Sequence, residues 1–333
     1  MTDQPSSGES VEITWPLDET TMYGTLVRPS GAGPFPAVVM VAGSGPTDRD
    51  WNSPLLPGPN GSARLIAEAL VSAGIASLRY DKRASGPQAM ENMQTLIGKM
   101  SMQSHLDELT SAVETLASQE FVRDEKIFGL GNSEGTLHVL NYQIHQSAIP
   151  LAGIVLIAPP GRSVGAVARS QLAAQAAGLP NGADLMALYD EAIARFMAEE
   201  PMNPDPALPE GVQMLLQSLE TPANLPFARE LWLADAAPLL SQVDVPTLVI
   251  IGKKDLQVDW QDDGGPLQRA AAGRDDVTFL FPENANHVLK YEPKPRSEVT
   301  MPDAMPRYNA PDAKLDPDAM ASVVAWLTAH AEA

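Results

Sequence analysis

The sequence predicts an α/β fold in which helices flank a mostly parallel central sheet, with a helical cap inserted into it. Short apolar runs alternate with helical patterns along most of the 333 residues, as expected for a parallel sheet. The alternation stops between residues 162 and 240, where helical patterns follow one another without a strand. The motif Gly131-Asn132-Ser133-Glu134-Gly135 directly follows an apolar run, which is typical of a strand that turns sharply into a helix.

The first half of the chain reads as strands separated by amphipathic helices. Residues 37–41 form an unbroken apolar run, which is typical of a strand buried on both faces. Residues 62–73 carry apolar side chains at helical spacing, and residues 76–80 return as a strand. The remaining predictions are strands at 11–15, 22–28, 126–130 and 151–158, and helices at 103–118 and 136–145.

The second half predicts an insertion and then the end of the sheet. Alanine- and leucine-rich patterns at 164–177 and 184–198 predict helices, and strands are expected at 247–251 and 277–281. Helices at 265–272 and 317–329 complete the fold, and proline-rich loops are expected at 54–59 and 293–311. The predicted organisation is a disordered tail at 1–10, a core at 11–161, a helical cap at 162–240 and the rest of the core at 241–333.

The composition excludes several classes of function. Lys and Arg total 22 against 42 Asp and Glu, and the net charge of −20 argues against a nucleic-acid partner. The absence of cysteine excludes disulfides, thiolate metal sites and a cysteine nucleophile. The polar N-terminus shows no signal region, and no apolar run reaches the roughly 20 residues of a membrane helix. We therefore expect a cytoplasmic protein without a membrane partner.

Ser133 is the predicted catalytic nucleophile. In a nucleophile elbow the serine occupies a strained turn, and small residues two places before and after it let the backbone approach closely. Gly131 and Gly135 fill both places. Leu137, Leu140 and Ile144 then follow at helical spacing, so the motif has a strand before it and a helix after it.

A serine hydroxyl needs a base, and His287 is the best of the five histidines. His138 and His145 share the helix that follows Ser133, whereas His105 and His330 belong to other helices. His287 lies in a polar loop just beyond the last predicted strand, at the carboxyl edge of the sheet.

An acid must orient the base, and Asp255 is the natural candidate because it directly follows the strand at 247–251. Its rivals Asp259, Asp262 and Asp263 lie further into the same loop. The resulting order of serine, aspartate and histidine is the one found on the α/β-hydrolase scaffold.

Two backbone N–H groups are predicted to bind the negative charge that develops on the substrate carbonyl oxygen. One belongs to Glu134, the residue after the nucleophile, and the other to Ser44 in the glycine turn after the strand at 37–41. Since the backbone is the donor, replacing the Ser44 side chain should reduce turnover less than replacing Ser133.

Three blocks of the chain resemble those of the α/β-hydrolase superfamily, in the branch of serine esterases, thioesterases and serine aminopeptidases. The blocks are Ala42-Gly43-Ser44-Gly45-Pro46-Thr47-Asp48-Arg49-Asp50, Arg79-Tyr80-Asp81-Lys82-Arg83 and Ala285-Asn286-His287-Val288-Leu289-Lys290. The resemblance runs from about residue 11 to residue 330. Relatives usually carry glycine where this chain has Trp51 and Ala84, two loop positions expected to border the pocket. Asp48, Arg49 and Asp50 are expected to form a structural ion-pair network.

The substrate is expected to be a small neutral ester. Candidate pocket residues are Trp51, Met186 and Met197, because methionine adapts to irregular apolar shapes. The negative net charge disfavours anionic substrates, which places neutral esters ahead of acyl-CoA thioesters.

The function predicted is that of a serine carboxylesterase acting through an acyl-enzyme, with no metal or organic cofactor. Two alternatives stay open. An acyl thioesterase or aminopeptidase-like hydrolase would use the same three residues, and the peptidase would need an acid such as Glu199 or Glu200 to bind the substrate amine. The second alternative is a binding protein without catalytic activity. The oligomeric state, including a homo-oligomer, is left open.

Overall fold

An eight-stranded sheet forms the centre of the fold in a computed structural model that describes residues 8–145 and 148–333. The strands are β1 (Glu9–Leu17), β2 (Thr20–Arg28), β3 (Phe35–Val41), β4 (Ala76–Tyr80), β5 (Val122–Asn132), β6 (Gly153–Ile157), β7 (Thr247–Ile250) and β8 (Val277–Leu280). Their spatial order is β1-β2-β4-β3-β5-β6-β7-β8. The pairs β1–β2 and β2–β4 are antiparallel and all others are parallel, which confirms the predicted mostly parallel sheet.

Twelve α-helices accompany the sheet in the described ranges. They are α1 (Ser62–Ser72), α2 (Ala89–Leu96), α3 (Met102–Ala117), α4 (Glu134–His145), α5 (Val164–Ala176), α6 (Gly182–Met197), α7 (Glu210–Leu219), α8 (Phe227–Leu233), α9 (Ala236–Leu240), α10 (Gly264–Ala270), α11 (Met301–Tyr308) and α12 (Pro317–Glu332). Among those helices, none is long and apolar enough to cross a membrane.

The main hydrophobic core lies between the sheet and the helices that cover it. Every residue of β4 and β6 is buried, because helices cover both faces of these central strands. Helix α1 contacts α12, whereas α3, α4, α9 and α10 contact one another in that order. Phe128 of β5 and Trp326 of α12 meet edge to face, with ring centroids 6.3 Å apart.

Helices α5–α9 lie between β6 and β7, where the sequence predicts an insertion. Helices α5–α8 enclose a second, smaller hydrophobic cluster, whose largest members include Tyr189, Phe196 and Trp232. Helix α9 differs, because its Ala236 and Leu240 belong to the main core. The packing of α9 therefore joins the end of the inserted segment to the sheet domain.

Some elements differ from the sequence-based expectation. Strand β5 begins at Val122, four residues early, because Val122 pairs with Phe35 across an irregularity in the ladder. Helix α11 occupies part of the proline-rich segment expected to be a loop, and Pro306 lies inside it. Residues 1–7 of the tail predicted at 1–10 lie outside the described residues, and β1 already includes Glu9.

Candidate active site

Ser133 lies between the last residue of β5 and the first residue of α4. Its φ angle is +53°, in the left-handed region that non-glycine residues rarely adopt. Two hydrogen bonds hold this conformation: the Ser133 N–H donates to Ile157 O at 2.8 Å, and the Thr136 N–H donates to Ser133 O at 3.0 Å. Backbone strain of this kind, held in place by hydrogen bonds, is common at functional sites.

The glycines on either side of Ser133 leave room for this turn. A Cβ at Gly131 would lie 2.4 Å from Gly135 O, and a Cβ at Gly135 would lie 2.5 Å from Val41 O. Both distances are far below van der Waals contact with rigid backbone. The close approach of α4 to β3 and β5 therefore requires glycine at both positions.

His287 and Asp255 form a buried pair next to this turn. His287 Nδ1 lies 2.8 Å from Asp255 Oδ2, and the two residues are 6% and 1% exposed. The other oxygen, Asp255 Oδ1, accepts the N–H groups of Gln257 at 2.7 Å and Val258 at 3.0 Å. The carboxylate is therefore fixed by its own loop, with one oxygen directed at the imidazole.

The loop that carries His287 is tied to the residue before Ser133. Asn132 Nδ2 donates to His287 O at 3.0 Å, and Asn132 is itself buried. Ser133, Asp255 and His287 thus follow β5, β7 and β8, whose carboxyl ends lie along one edge of the sheet. The catalytic roles predicted for the three residues stay predictions.

Gly43 brings the turn after β3 against Ser133. A Cβ on Gly43 would lie 3.4 Å from Ser133 Cβ, so the two backbones are close. Within residues 8–145 and 148–333, the N–H groups of Ser44 and Glu134 donate to no protein acceptor. Both N–H groups predicted to bind the carbonyl oxygen are therefore left without an acceptor by the described part of the chain.

The ion-pair network predicted behind this turn is present in part. Arg49 binds Asp81 at 2.6 Å and also pairs with Glu12, while Arg79 binds Asp50 at 3.0 Å. Burial raises the pKa of Asp81, against the opposing effect of Arg49. Asp48 contributes differently, because its Oδ1 accepts the backbone N–H groups of Asp50 and Asn52.

A second buried polar cluster lies beside the turn, and its roles were not predicted from the sequence. Lys82 Nζ donates to Gly43 O at 2.7 Å and to Glu134 Oε1 at 2.8 Å, and both side chains are almost fully buried. His138 Nε2 lies 3.2 Å from the same Glu134 oxygen. The signal was available, because Glu134 lies inside the elbow motif and Lys82 inside one of the three resembling blocks.

The charges in this cluster act strongly on each other. Burial alone would raise the pKa of Glu134, but Lys82 and then His138 outweigh it and hold that pKa well below its usual range. Burial lowers the pKa of His138 to about 4, so the ring is neutral near pH 7. The neighbouring Arg83 pairs with buried Glu108 at 3.0 Å.

Three side chains in this region, two of them from the cluster, could also surround a metal ion. Ligand atoms of His105, Glu134 and His138 lie within 4.8 Å of one another. The Lys82 ammonium, however, already binds the Glu134 carboxylate, and so places a positive charge where a metal would bring another. The cluster is thus better described as an ion pair flanked by histidines.

The other predicted residues lie elsewhere. Trp51 is 4% exposed in the main core and has φ +66°, a left-handed backbone conformation that favours glycine. Met186 and Met197 pack against the cluster of the inserted helices. Their roles in a substrate pocket stay predictions.

The rival carboxylates of the acid loop have other partners. Asp263 is fully buried, and its two carboxylate oxygens accept hydrogen bonds from Arg162 at 3.0 and 2.9 Å. Burial nevertheless raises the pKa of Asp263. Asp259 Oδ1 accepts the N–H groups of Gln261 and Asp262. Within the described residues, neither Asp259 nor Asp263 has a hydrogen bond to His287.

The comparisons with known proteins agree with this architecture. Residues 38–299 match the sequence profile of the family described as "Alpha/beta hydrolase family". Esterase EstD of Thermotoga maritima is 30% identical over 286 residues, which are 86% of this chain. The chain spans 61% of the length of that relative.

Solved structures with the same fold include a Pyrococcus furiosus esterase and the α/β-hydrolase GrgF from Penicillium sp. sh18. The first has a TM-score of 0.54 at 15% identity, covering 97% of this chain and 91% of the other. The second has a TM-score of 0.55 at 18% identity, covering 98% and 100%. At these identities the likeness concerns the fold. The profile match spans most of the chain, and with the sheet order and the elbow it shows that this protein belongs to the α/β-hydrolase family.

Proposed function

We propose that this protein is a serine carboxylesterase that cleaves small neutral esters through an acyl-enzyme intermediate. Ser133 would be the nucleophile and His287 the general base and acid. Asp255 would be the carboxylate that orients the His287 ring. The observation that carries the proposal is the buried His287–Asp255 pair at 2.8 Å, whose loop is tied to the residue before a strained serine. The 30% identity to Esterase EstD supports the ester substrate class.

The proposed reaction has two halves. His287 takes the proton of the Ser133 hydroxyl as its oxygen attacks the ester carbonyl carbon, and the oxyanion binds the N–H groups of Ser44 and Glu134. The tetrahedral intermediate collapses, and the alcohol leaves with the proton from His287. Water then attacks the acyl-enzyme by the same route, which releases the carboxylic acid and restores Ser133.

Helices α5–α8 are the proposed cap of the site. Two contacts support this, since both join the inserted segment to the loop that carries Asp255. Arg162, just before α5, binds Asp263, and Gln171 Nε2 of α5 donates to Gln257 O at 2.9 Å. Substrate-facing residues of the cap would then lie above Ser133.

Thioester or peptide cleavage by the same three residues is less well supported. Glu199 and Glu200, the acids considered for binding a peptide amine, are both exposed just after α6. The net charge of −20 also opposes the approach of an anionic carrier thioester. Esters therefore remain the favoured substrate class.

The test is hydrolysis of p-nitrophenyl esters from acetate to laurate by the wild type, Ser133→Ala and Ser44→Ala. We expect Ser133→Ala to lose about 10³-fold or more in kcat, because the nucleophile is gone. Ser44→Ala is the matched serine control and should keep kcat within a few-fold, since its backbone N–H remains. The chain-length optimum would size the acyl pocket.

Labelling with a fluorophosphonate separates the alternatives. A wild type that hydrolyses no ester but is labelled at Ser133 would have a competent nucleophile and another substrate class. Absence of both labelling and hydrolysis would refute the catalytic proposal.

A further inference from the structure

The proposed reaction does not explain why the Lys82 side chain is buried. It is 4% exposed, although a lysine is rarely buried without a specific reason. Its Nζ bridges Gly43 O and Glu134 Oε1, at 2.7 and 2.8 Å. These two residues belong to the two chain segments that would bind the oxyanion.

The contact with Gly43 O determines the direction of the Ser44 N–H. The carbonyl of Gly43 and the N–H of Ser44 belong to one planar peptide group, and only Gly33–Pro34 and Leu225–Pro226 are cis among the described residues. In a trans peptide the C=O and N–H point in opposite directions. Lys82 therefore holds the carbonyl on its own side and directs the N–H of Ser44 away from itself.

The contact with Glu134 anchors the other donor. Glu134 is the first residue of α4, so its own backbone N–H is one of the free N–H groups at the helix start. Its carboxylate is held by Lys82 and by His138, one turn further along α4. One ammonium group thus fixes the peptide before Ser44 and the residue after Ser133 relative to each other.

A purely structural ion pair would not need this geometry. Arg83 and Glu108 are similarly buried and close by, yet within the described residues neither has a hydrogen bond or ion pair to Gly43 or Glu134. Burying a charge pair gains little net stability, since desolvation offsets the attraction. What distinguishes Lys82 from Arg83 is its hydrogen bond to the peptide that carries the oxyanion donor.

We propose that Lys82 and Glu134 form a positioning pair that pre-orients the two oxyanion-binding N–H groups of Ser44 and Glu134. This inference rests on the proposed function, because it assigns the pair to the transition state of that reaction. Neither side chain touches the substrate. Their effect is to remove the cost of reorienting the donors when charge develops on the carbonyl oxygen.

The test compares two double variants that each remove one buried ion pair. Lys82→Met with Glu134→Gln removes the proposed pair without leaving an unpaired charge, and Arg83→Met with Glu108→Gln is the matched control. We expect the first to lose about 10- to 100-fold in kcat for p-nitrophenyl butyrate, with KM within about 3-fold. The inhibition constant of a trifluoromethyl ketone, which forms a tetrahedral adduct, should rise by a similar factor.

The control variant should keep kcat and the inhibition constant within about 3-fold, and thermal unfolding of both double variants measures what each replacement does to stability. The single variant Glu134→Gln keeps an oxygen acceptor for Lys82, so it should lose less activity than the double variant. Equal losses in the two double variants would mean that the Lys82 pair acts only through stability, and would overturn the inference.

A crystal structure of the Lys82→Met, Glu134→Gln variant gives an answer that does not depend on activity. We expect the Gly43–Ser44 peptide to rotate or to occupy two orientations. An unchanged peptide would refute the positioning role even if the enzyme is an esterase. A wild type inert to esters and fluorophosphonate would instead refute the proposed function, whatever the peptide does.

Discussion

Asp255 uses its two carboxylate oxygens for different purposes. Oδ1 accepts two backbone N–H groups of its own loop, which leaves Oδ2 for His287 Nδ1. An N–H on Nδ1 leaves Nε2 without a proton, as a general base requires. In the proposed mechanism, the orientation of the carboxylate therefore selects the tautomer in which His287 can act as the base.

The first prediction concerns Asp255→Asn. The asparagine oxygen would stay with the two loop N–H groups, so its NH₂ would face His287 Nδ1 and favour the wrong tautomer. We expect kcat for p-nitrophenyl butyrate to fall about 10³- to 10⁴-fold, with little change in KM. Asp259→Asn is the control and should remain within about 2-fold. A loss at Asp259 as large as that at Asp255 would reassign the orienting acid.

The second prediction concerns His138 and acid stability. Burial lowers the pKa of His138 to about 4 from 6.5, so the unfolded chain binds a proton at this residue before the folded chain does. The stability that this difference contributes is complete above pH 6.5 and is lost as the pH falls toward 4. At 1.36 kcal/mol for each pKa unit, the free energy of unfolding falls by about 3 kcal/mol.

Urea unfolding of the wild type and His138→Gln at several pH values tests this prediction. The gap between their free energies of unfolding should narrow by about 3 kcal/mol from pH 7 to pH 4. His145→Gln, at an exposed position of the same helix, controls for the loss of an imidazole. Parallel curves for the wild type and His138→Gln would contradict the prediction.

The residues of the site were predictable from the sequence to different extents. Ser133 lies in a local motif, and the positions of Asp255 and His287 follow from strand order, so both could be inferred from spacing. The roles of Lys82 and His138 could not, because they depend on which side chains from separate elements meet in the interior. The burial of Trp51 in the core and its left-handed backbone conformation likewise could not be inferred from spacing.

Helix α4 packs unusually close to the strand beside its own. Gly135, in its first turn, faces the carbonyl oxygens of Val41 and Ala42, which would lie 2.5 and 2.7 Å from an added Cβ. Those oxygens belong to the end of β3 and the start of the turn that carries Ser44. The distance between α4 and β3 therefore also determines the distance between the N–H groups of Ser44 and Glu134, the two proposed oxyanion donors.

The third prediction is that Gly135→Ala destabilises the protein although alanine favours helices. The clash with backbone forces α4 away from β3, and we expect a loss of about 2 kcal/mol or more, measured as a lower midpoint of thermal unfolding. Gly211→Ala, at an exposed position of α7 with open space around it, is the control. It should raise stability by about 0.5 to 1 kcal/mol. A Gly135→Ala variant as stable as the wild type would refute the close packing.

Most elements were predictable because their burial leaves a clear pattern. The continuous apolar runs of β3 and β6 and the helical spacing in α1 reflect contact with the main core. Helix α11 was hidden because its prolines favour a loop assignment. The sequence also could not reveal that α9 joins the main core, because a short apolar stretch fits either of the two clusters.

At the scale of the whole molecule, the surface carries almost all of the net charge of −20, because the buried part of the described chain holds seven acidic and five basic residues, which nearly balance. Several of the 22 basic residues are buried in ion pairs or bound to backbone oxygens, as are Arg79, Lys82, Arg83 and Lys290. Lys290 even has its pKa lowered to about 8 by burial. Burial removes charges of both signs, and acidic groups still outnumber basic ones at the surface, as they do in the whole chain. A substrate therefore approaches through a negative field.

The last prediction follows from that field. A p-nitrophenyl ester with a free carboxylate, such as the hemisuccinate, should have a several-fold lower kcat/KM than the neutral butyrate at low ionic strength. The ratio should narrow as salt rises toward about 0.5 M, because screening then acts within a few ångströms. The neutral ester is the control for salt effects on the enzyme itself. A hemisuccinate rate that falls with added salt would mean that a local cationic group near Ser133 outweighs the overall charge, and would reopen anionic substrates.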